Sequence, residues 1–520
     1  MPDPREIPAH DRSSLARHAL AALALVIAFY AVVLGVGLAL ILWPFHAELE
    51  VAGQRSTLIA FCVPLGLAFL AAARPRHEPF FPPGPPVDAT QQERLFRLVH
   101  EVAHSLGERL PDEVYLTADA NAGVTHFGGV LGFGQKRVLY LGLPFAHGLS
   151  VDALRVVLAH EFGHFAGAHS RLACWAFRTR ESLERTVERL AAEGSLFALP
   201  FRIFGRLYVR VTDALSRRME LAADAVAARL LGPRASCEAL RAAAELVPAF
   251  QQYLHTEFLP VLDAGRRPPL LLGFATFLSS AGVKAQLARY VAQEMQRPMA
   301  IEDDTHPPLG VRVRAIEAGG FTEPAGRAAD ARPASVLLDD PPRLELALLE
   351  AATGDAQLRL LGTIAWAAVG RELLLPRFRA VRDALPRERC APVSLADLPQ
   401  LFEPQNSAVP RILEALGVES PPPGQGESAE EIAATALGQA GFAALVDAGF
   451  AFETEPGEPM TARRGAHGVE LVTWLHEFVA GRLDAEAYRA RAVACGIDRV
   501  GLMAPQPAEP ASRAVEPSLV

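Results

Sequence analysis

Residues Ser150 to His169 read SVDALRVVLAHEFGHFAGAH, and within them His160-Glu161-Phe162-Gly163-His164 has the spacing H-E-x-x-H. At 3.6 residues per turn, positions four apart lie about 40° from one another around a helix axis, so a helix here projects both imidazoles from one face. Two imidazoles so placed are half of a zinc site. Glu161 falls beside the metal position rather than on it, where a carboxylate takes a proton from an activated water and hands it to a leaving amine. The pattern predicts metal-assisted hydrolysis.

The pentapeptide is not unique in the chain, because His100-Glu101-Val102-Ala103-His104 fits the same spacing. Their flanks separate the two. Val157, Leu158 and Ala159 precede His160, and Phe165 and Ala166 follow His164, all uncharged, as expected of a helix buried under a cleft. Around the earlier copy lie Arg94, Arg97, Glu108 and Arg109; Gly107 and Pro111 end its helix, and Leu95, Leu98, Val99 and Val102 give it one apolar stripe. That copy reads as an amphipathic surface helix, which leaves the later one as the expected metal helix.

A catalytic zinc takes three protein ligands and keeps one position open. The pattern H-E-x-x-H-x-x-G-x-x-H finds its glycine at Gly167 but Ser170 at its last position, with His169 one residue early. Glu181 and Glu184 lie in the alternating run RTRESLERTVER, which reads more simply as a solvated helix face. The best candidate is Glu220, in SRRMELAADAVAARLLG, with Asp224 four residues on. Two acids on an Ala/Leu-rich face are costly to bury unless something pairs them. Zinc on Glu220, and a ligand imidazole donating its N–H to Asp224, would pair both; the competing reading is the polar edge of an amphipathic helix.

The series LSVDALRVVLAHEFGHFAGAH, MELAADAVA and, from Thr305, THPPLGVRVRAIE resembles the membrane-bound zinc metallopeptidases that include CAAX prenyl endopeptidases and heat-shock protease X, over roughly Gln91 to Glu317. The resemblance implies one zinc per chain on His160, His164 and Glu220, with Glu161 as general base and Asp224 behind a ligand histidine. It also implies a zincin-like, minigluzincin catalytic core. His306 and Arg312 match the third motif. Prolines after His306 would stiffen a loop that brings it to the zinc or the oxyanion, and Arg312 would stabilise developing charge; a rigid turn before a helix is the alternative. The resemblance further implies that TADANAGVTHFGGVLGFGQKRVLYLG, from Thr117, forms two short strands. Asn121, Ala122 and Gly123 would then lie on an edge that pairs with an extended substrate backbone, against the alternative of an ordinary glycine-rich hairpin. His126 reads as an exposed loop histidine.

A chain of 520 residues with 50% hydrophobic composition has room for two or three folded units. Its net charge of −9 shows no basic footprint, so nucleic acid is not an expected partner. Alanine is abundant and Lys136 and Lys284 are the lysines present, a composition that suggests a GC-rich bacterial genome. Cys62, Cys174, Cys237, Cys390 and Cys495 are far apart and never in C-x-x-C, which points to a reducing compartment and to no thiolate zinc site.

Ala19 to Trp43 carries no charge and is long enough to cross a bilayer; Thr57 to Ala73 is shorter, contains Pro64 and Gly66, and is also uncharged. The two predict a transmembrane hairpin. A cleaved signal peptide for the first run, and a buried or re-entrant helix for the second, are the alternatives. Arg5, Arg12 and Arg17 precede the first run and Arg74 and Arg76 follow the second, whereas the connection carries Glu48, Glu50 and Arg55. The positive-inside tendency then places both ends, and the catalytic domain, on the cytoplasmic side of a bacterial inner membrane.

The resulting division is a hairpin over 1–77 (spans 19–43 and 57–73), a proline-rich linker over 78–89, a metallopeptidase domain over 90–320, an α-helical region over 321–503 and a disordered tail over 504–520. Leu196 to Val211 is hydrophobic but interrupted by Arg202, Arg206 and Arg210, so it either lies on the membrane surface or packs in the domain. Leu270 to Val283 reads as one buried helix, and PPPGQG marks a break in the C-terminal region. The expected fold class is mainly α with a small β-sheet (α+β). The expected function is a membrane-anchored zinc endopeptidase acting on protein or peptide substrates. Its rivals are an inactive scaffold working through its C-terminal helices and a soluble or secreted metallohydrolase.

Overall fold

The computed structural model describes residues 9–46, 54–73, 80–127, 136–166, 187, 191, 198–298, 307–353, 358, 360–405, 407–418 and 427–503. Gly167, His169, Ser170, Glu181, Glu184, His306, Cys174, the PPPGQG break and the tail 504–520 lie outside the described residues. By contacts the chain forms two units, Met1–Phe250 with Ala285–Ala356, and Gln251–Lys284 with Gln357–Val520. This division differs from the ranges 90–320 and 321–503, since an internal segment joins the second unit and the first extends past residue 320.

The first unit begins with helices α1 (Ala9–His46) and α2 (Gln54–Ala73). Both are long and apolar enough to cross a membrane, over Leu20–His46 and Gln54–Ala71. They pack through small residues: a Cβ added to Gly66 would lie 2.8 Å from the Gly37 carbonyl oxygen, so the backbones meet where neither has a side chain. Ile27, Val32, Leu34, Leu38, Phe61 and Leu67 stay exposed, the inverse of a water-soluble core.

Helix α3 (Glu93–Ser105) buries Leu95, Leu98, Val99, Val102 and Ala103 and leaves the opposite face in solvent. Strands β1 (Glu113–Thr117), β2 (Ala122–Phe127) and β3 (Lys136–Gly142) form a sheet of order β1-β3-β2, with β1 parallel and β2 antiparallel to β3. The sheet has one strand more than the two expected. Part of the proline-rich stretch over 78–89 is also pinned rather than free: Leu116 N–H donates to the Pro85 carbonyl (3.0 Å) and Val87 N–H to Val114 (2.8 Å). Gly84 fits there because a Cβ would come within 1.8 Å of the Leu116 carbonyl oxygen. Residues 84–87 therefore cover the outer edge of β1, and β2 is the edge at the other side of the sheet.

After the short helix α4 (Leu143–Gly148) come α5 (Val151–Ala166) and α6 (Ala198–Leu231). The first N–H groups of α5 are satisfied by a strap from much later in the chain. Val151 donates to the Arg332 carbonyl (2.9 Å) and Asp152 to Asp330 (3.1 Å), and Asp152 also pairs with Arg155 and Arg327. The arginine-interrupted stretch over 196–211 opens α6 as a regular helix and packs on α1, where the Phe29 and Phe204 rings stack at 3.9 Å. The Leu309–Ala318 helix settles against the end of α6, with Leu309, Val313 and Ile316 beside Ala228 and Cys237.

In the second unit Tyr253 gathers Phe258, Phe274, Phe277 and Trp366 into an aromatic cluster. The single helix expected over Leu270–Val283 is broken. Leu270–Ser279 ends at Ser280, whose backbone turns extended and whose hydroxyl bonds the Gly457 carbonyl at 2.9 Å before a new helix starts at Ala281. The C-terminal region centres on Ala429–Asp447, a helix started by a Ser428/Glu431 capping box and buried on most sides. It is not purely helical: Ala451–Glu453, Thr461–Arg464 and His467–Val469 form an antiparallel sheet.

Candidate metal centre

The centre is built where α5 crosses α6. A Cβ on Gly163 would lie 3.2 Å from Ala223 Cα and 3.3 Å from its carbonyl oxygen, tight contacts against backbone that cannot move aside. A glycine facing an alanine lets the two helices approach closely enough for short acidic side chains on α6 to reach the imidazoles on α5. His160 Nε2 lies 3.4 Å from Glu220 Oε2, and His164 Nε2 lies 3.6 Å from Glu220 Oε1. One ligand atom from each of the three residues falls within 4.8 Å of the others.

That donor set fits a zinc ion. With metal–ligand bonds of about 2.0–2.2 Å at tetrahedral angles, ligand atoms stand about 3.3–3.6 Å apart, which is the spacing from Glu220 to both histidines. Two neutral nitrogens and one carboxylate oxygen also match the chemistry of a three-ligand catalytic site.

Asp224, one turn beyond Glu220, accepts from His160 Nδ1 at 2.9 Å. This bond leaves the Nε2 lone pair of His160 on the side of Glu220 and His164, the arrangement a ligand histidine requires. Arg312 closes the group from the Leu309–Ala318 helix, donating through Nε (2.8 Å) and Nη2 (2.6 Å) to the two oxygens of Asp224. Arg312 Nη2 also lies 3.3 Å from His160 Nδ1. Since both nitrogens donate to the same Asp224 oxygen, we read that approach as shared coordination of the carboxylate and not as a bond between them.

The electrostatics of the metal-free group follow from this packing. Burial resists charge on His160, but Asp224 and then Glu220 outweigh it and hold its pKa up to about 10. His164 is equally enclosed and faces a charged His160, and its pKa is pushed down to about 4. Burial also opposes ionisation of Asp224, yet Arg312 and His160 hold its carboxyl well below the usual range. Arg312 in turn is held above its ordinary value by Asp224, Glu220 and Glu161, against the effect of burial. The metal-free site thus keeps a proton on one imidazole, which a metal ion has to displace.

Glu161 is half-buried on α5, and its charge is felt by Arg312. The earlier motif differs at every position: His100, Glu101 and His104 are exposed, and Glu101 pairs with Arg155 at 3.2 Å. Asn121, Ala122 and Gly123 open the β2 edge. The Asn121 side chain accepts from the Ala122 N–H (2.8 Å), and Tyr140 covers Gly123 so closely that a Cβ would meet its ring at 2.2 Å. His126 is not an exposed loop histidine; it is half-buried on β2 with its ring 5.2 Å from Phe165.

Two features behind the centre escape the sequence. Arg137 on β3 is buried, bonds Glu108 (3.0 Å) and the Arg109 carbonyl (2.7 Å), and sets its guanidinium 4.5 Å from the Phe165 ring centroid. It braces α5 from the sheet side, next to His164. The only sequence signal is a charge inside the apolar strand KRVLYLG. The strap onto the start of α5 leaves less trace, since it pairs through backbone.

Comparisons with curated proteins and with solved structures give no match. Residues 89–319, which carry α5, α6 and the Leu309–Ala318 helix, match the model of peptidase family M48, so this stretch is similar to the metallopeptidases of that family.

Proposed function

We propose that the chain is a membrane-anchored, zinc-dependent endopeptidase. The observation that carries the proposal is the convergence of His160, His164 and Glu220 within 4.8 Å, in a stretch similar to metallopeptidases. Zinc bound there supplies Lewis acidity toward a scissile carbonyl and a lowered pKa for the attacking water. Glu161 takes the proton from that water and returns it to the departing amine. Asp224 fixes the tautomer and ring plane of His160. Arg312, with Nε and Nη2 both engaged by Asp224, acts as a positioning residue rather than as the oxyanion group expected from sequence. Asn121, Ala122 and Gly123 begin the sheet edge left after 84–87 cover β1, and an extended peptide backbone adds there. His306 remains a candidate for the metal or the oxyanion.

In this reading α1 and α2 anchor the chain in a bacterial inner membrane, and the arginine bias of their flanks sets the catalytic unit in the cytoplasm. The substrates are proteins or peptides, with membrane-protein quality control or processing as the role. Elemental analysis and casein cleavage by wild type and Glu161→Gln test the chemistry. Zinc in both proteins with cleavage only by wild type supports an endopeptidase, whereas zinc in both with no cleavage by either supports an inactive scaffold. Carbonate extraction of membranes tests the anchor, and release of the chain would favour the soluble hydrolase.

A further inference from the structure

We propose that the first half of α6 is a third bilayer-contacting helix, and that the same rod holds the metal ligand Glu220 at a fixed height beside the lipid surface. The inference rests on reading α1 and α2 as membrane-spanning. Helix α6 is unbroken from Ala198 to Leu231. One of its faces, Phe201, Phe204 and Tyr208, is buried. That face packs on α1: Phe29 stacks on Phe204 and meets Phe201 edge-on at 5.1 Å, and Phe201 shares a cluster with Val33. Phe29 and Val33 lie within the candidate span Leu20–His46, so this half of α6 runs beside a spanning helix at bilayer depth.

Facing away from α1, Leu199, Ile203 and Leu207 recur every four residues and are 59%, 61% and 47% exposed. Such a ridge is unfavourable in water and favourable among acyl chains. Helix α1 presents the same kind of surface at Ile27, Val32, Leu34 and Val36. Arg202 and Arg206 are exposed beside the ridge. Their aliphatic stems can lie along apolar surface while the guanidinium groups reach lipid phosphate. The occupant of this face is therefore the phospholipid leaflet in which α1 begins.

The direction of α6 fixes the consequence. Phe201 meets Val33, whereas Leu215 and Met219 gather with Ala22, so α6 rises from the depth of Val33 toward the start of the span, and Glu220 follows Met219 directly. At 1.5 Å per residue, Glu220 stands about 20 Å along the helix from Leu207. The metal centre is then held at the leaflet surface by a continuous helix and not by a flexible connection.

Photolabelling tests this on the full chain, reconstituted in phosphatidylcholine–phosphatidylglycerol vesicles that contain a phospholipid with an acyl-chain diazirine. Adducts mapped by mass spectrometry are expected on α1, on α2 and on the α6 segment holding Leu199, Ile203 and Leu207. Adducts on α1 and α2 with none from Leu199 to Leu207 overturn the inference and leave the anchor standing, as for a ridge covered by another part of the chain. Absence of adducts from α1 and α2 overturns the anchor and the inference together.

Discussion

Two helices of this chain carry the same five-residue spacing, and they have opposite fates. On α3 the apolar stripe turns inward, so His100, Glu101 and His104 point to solvent. On α5 both flanks of the motif are apolar, so the helix is enclosed on several sides, and His160 and His164 meet Glu220 from α6. Among the described residues, His160, His164 and Glu220 form the metal-capable group, and the earlier copy joins none. Spacing alone therefore supplies two ligands on one helix face. A site needs that face turned inward, with a second helix close enough to deliver a carboxylate.

Exchanging the fates of the two copies gives the largest effects. His160→Ala and Glu220→Ala should lose stoichiometric zinc, while His100→Ala and His104→Ala keep it, as read by elemental analysis of the purified chains. Zinc retained by Glu220→Ala would separate α6 from the centre. Next, Glu161→Gln should keep zinc and lower peptide hydrolysis by about 10²–10⁴-fold, the span attributed to general acid–base catalysis. Glu101→Gln should leave the rate unchanged, and a comparable loss there would reverse the assignment of the two motifs. Asp224→Asn should weaken zinc binding by about 10–100-fold in a chelator competition, as is usual when the carboxylate behind a ligand histidine is removed. An unchanged affinity would mean that Arg312 and packing alone orient His160.

These contrasts also mark what the sequence could and could not tell. The crossing of α5 and α6 is legible because its parts are chemical and local: two histidines four apart, and two acids stranded on an apolar helix. The amphipathic stripe of α3 is legible because a period of 3.6 needs only side-chain polarity. Backbone-paired features are not legible. The strap at Asp330 and Arg332 and the cover at Pro85 and Val87 use carbonyls and N–H groups that every residue type carries. A proline-rich stretch looks like a linker, yet Pro85 still offers a carbonyl. The three strands between Ala451 and Val469 are too short for an alternation to register, and the break at Ser280 depends on Gly457, far along the chain. For Arg312 the sequence gives a charge near the centre but not its partner, and the partner decides whether it meets substrate or positions Asp224.

The smallest predicted effect tests why the copies diverged, at the fourth position of each motif. Gly163 faces Ala223 at a distance no Cβ fits without strain, whereas α3 carries a buried Ala103 in the same place. Gly163→Ala gains about 1 kcal/mol of helix propensity. Overpacking against the Ala223 backbone costs about 1–3 kcal/mol. The balance should be a net destabilisation of about 1 kcal/mol, read as a lower Tm, together with weaker zinc binding, because the strain is relieved by moving α6 and Glu220 with it. Ala103→Gly should also cost about 1 kcal/mol, from backbone entropy and a lost methyl group, but it should leave zinc affinity as it was. Equal melting and equal zinc affinity for Gly163→Ala and wild type would show that α5 and α6 have room to spare. The close approach of a glycine to an alanine would then not be what turned one copy of the motif into a metal centre.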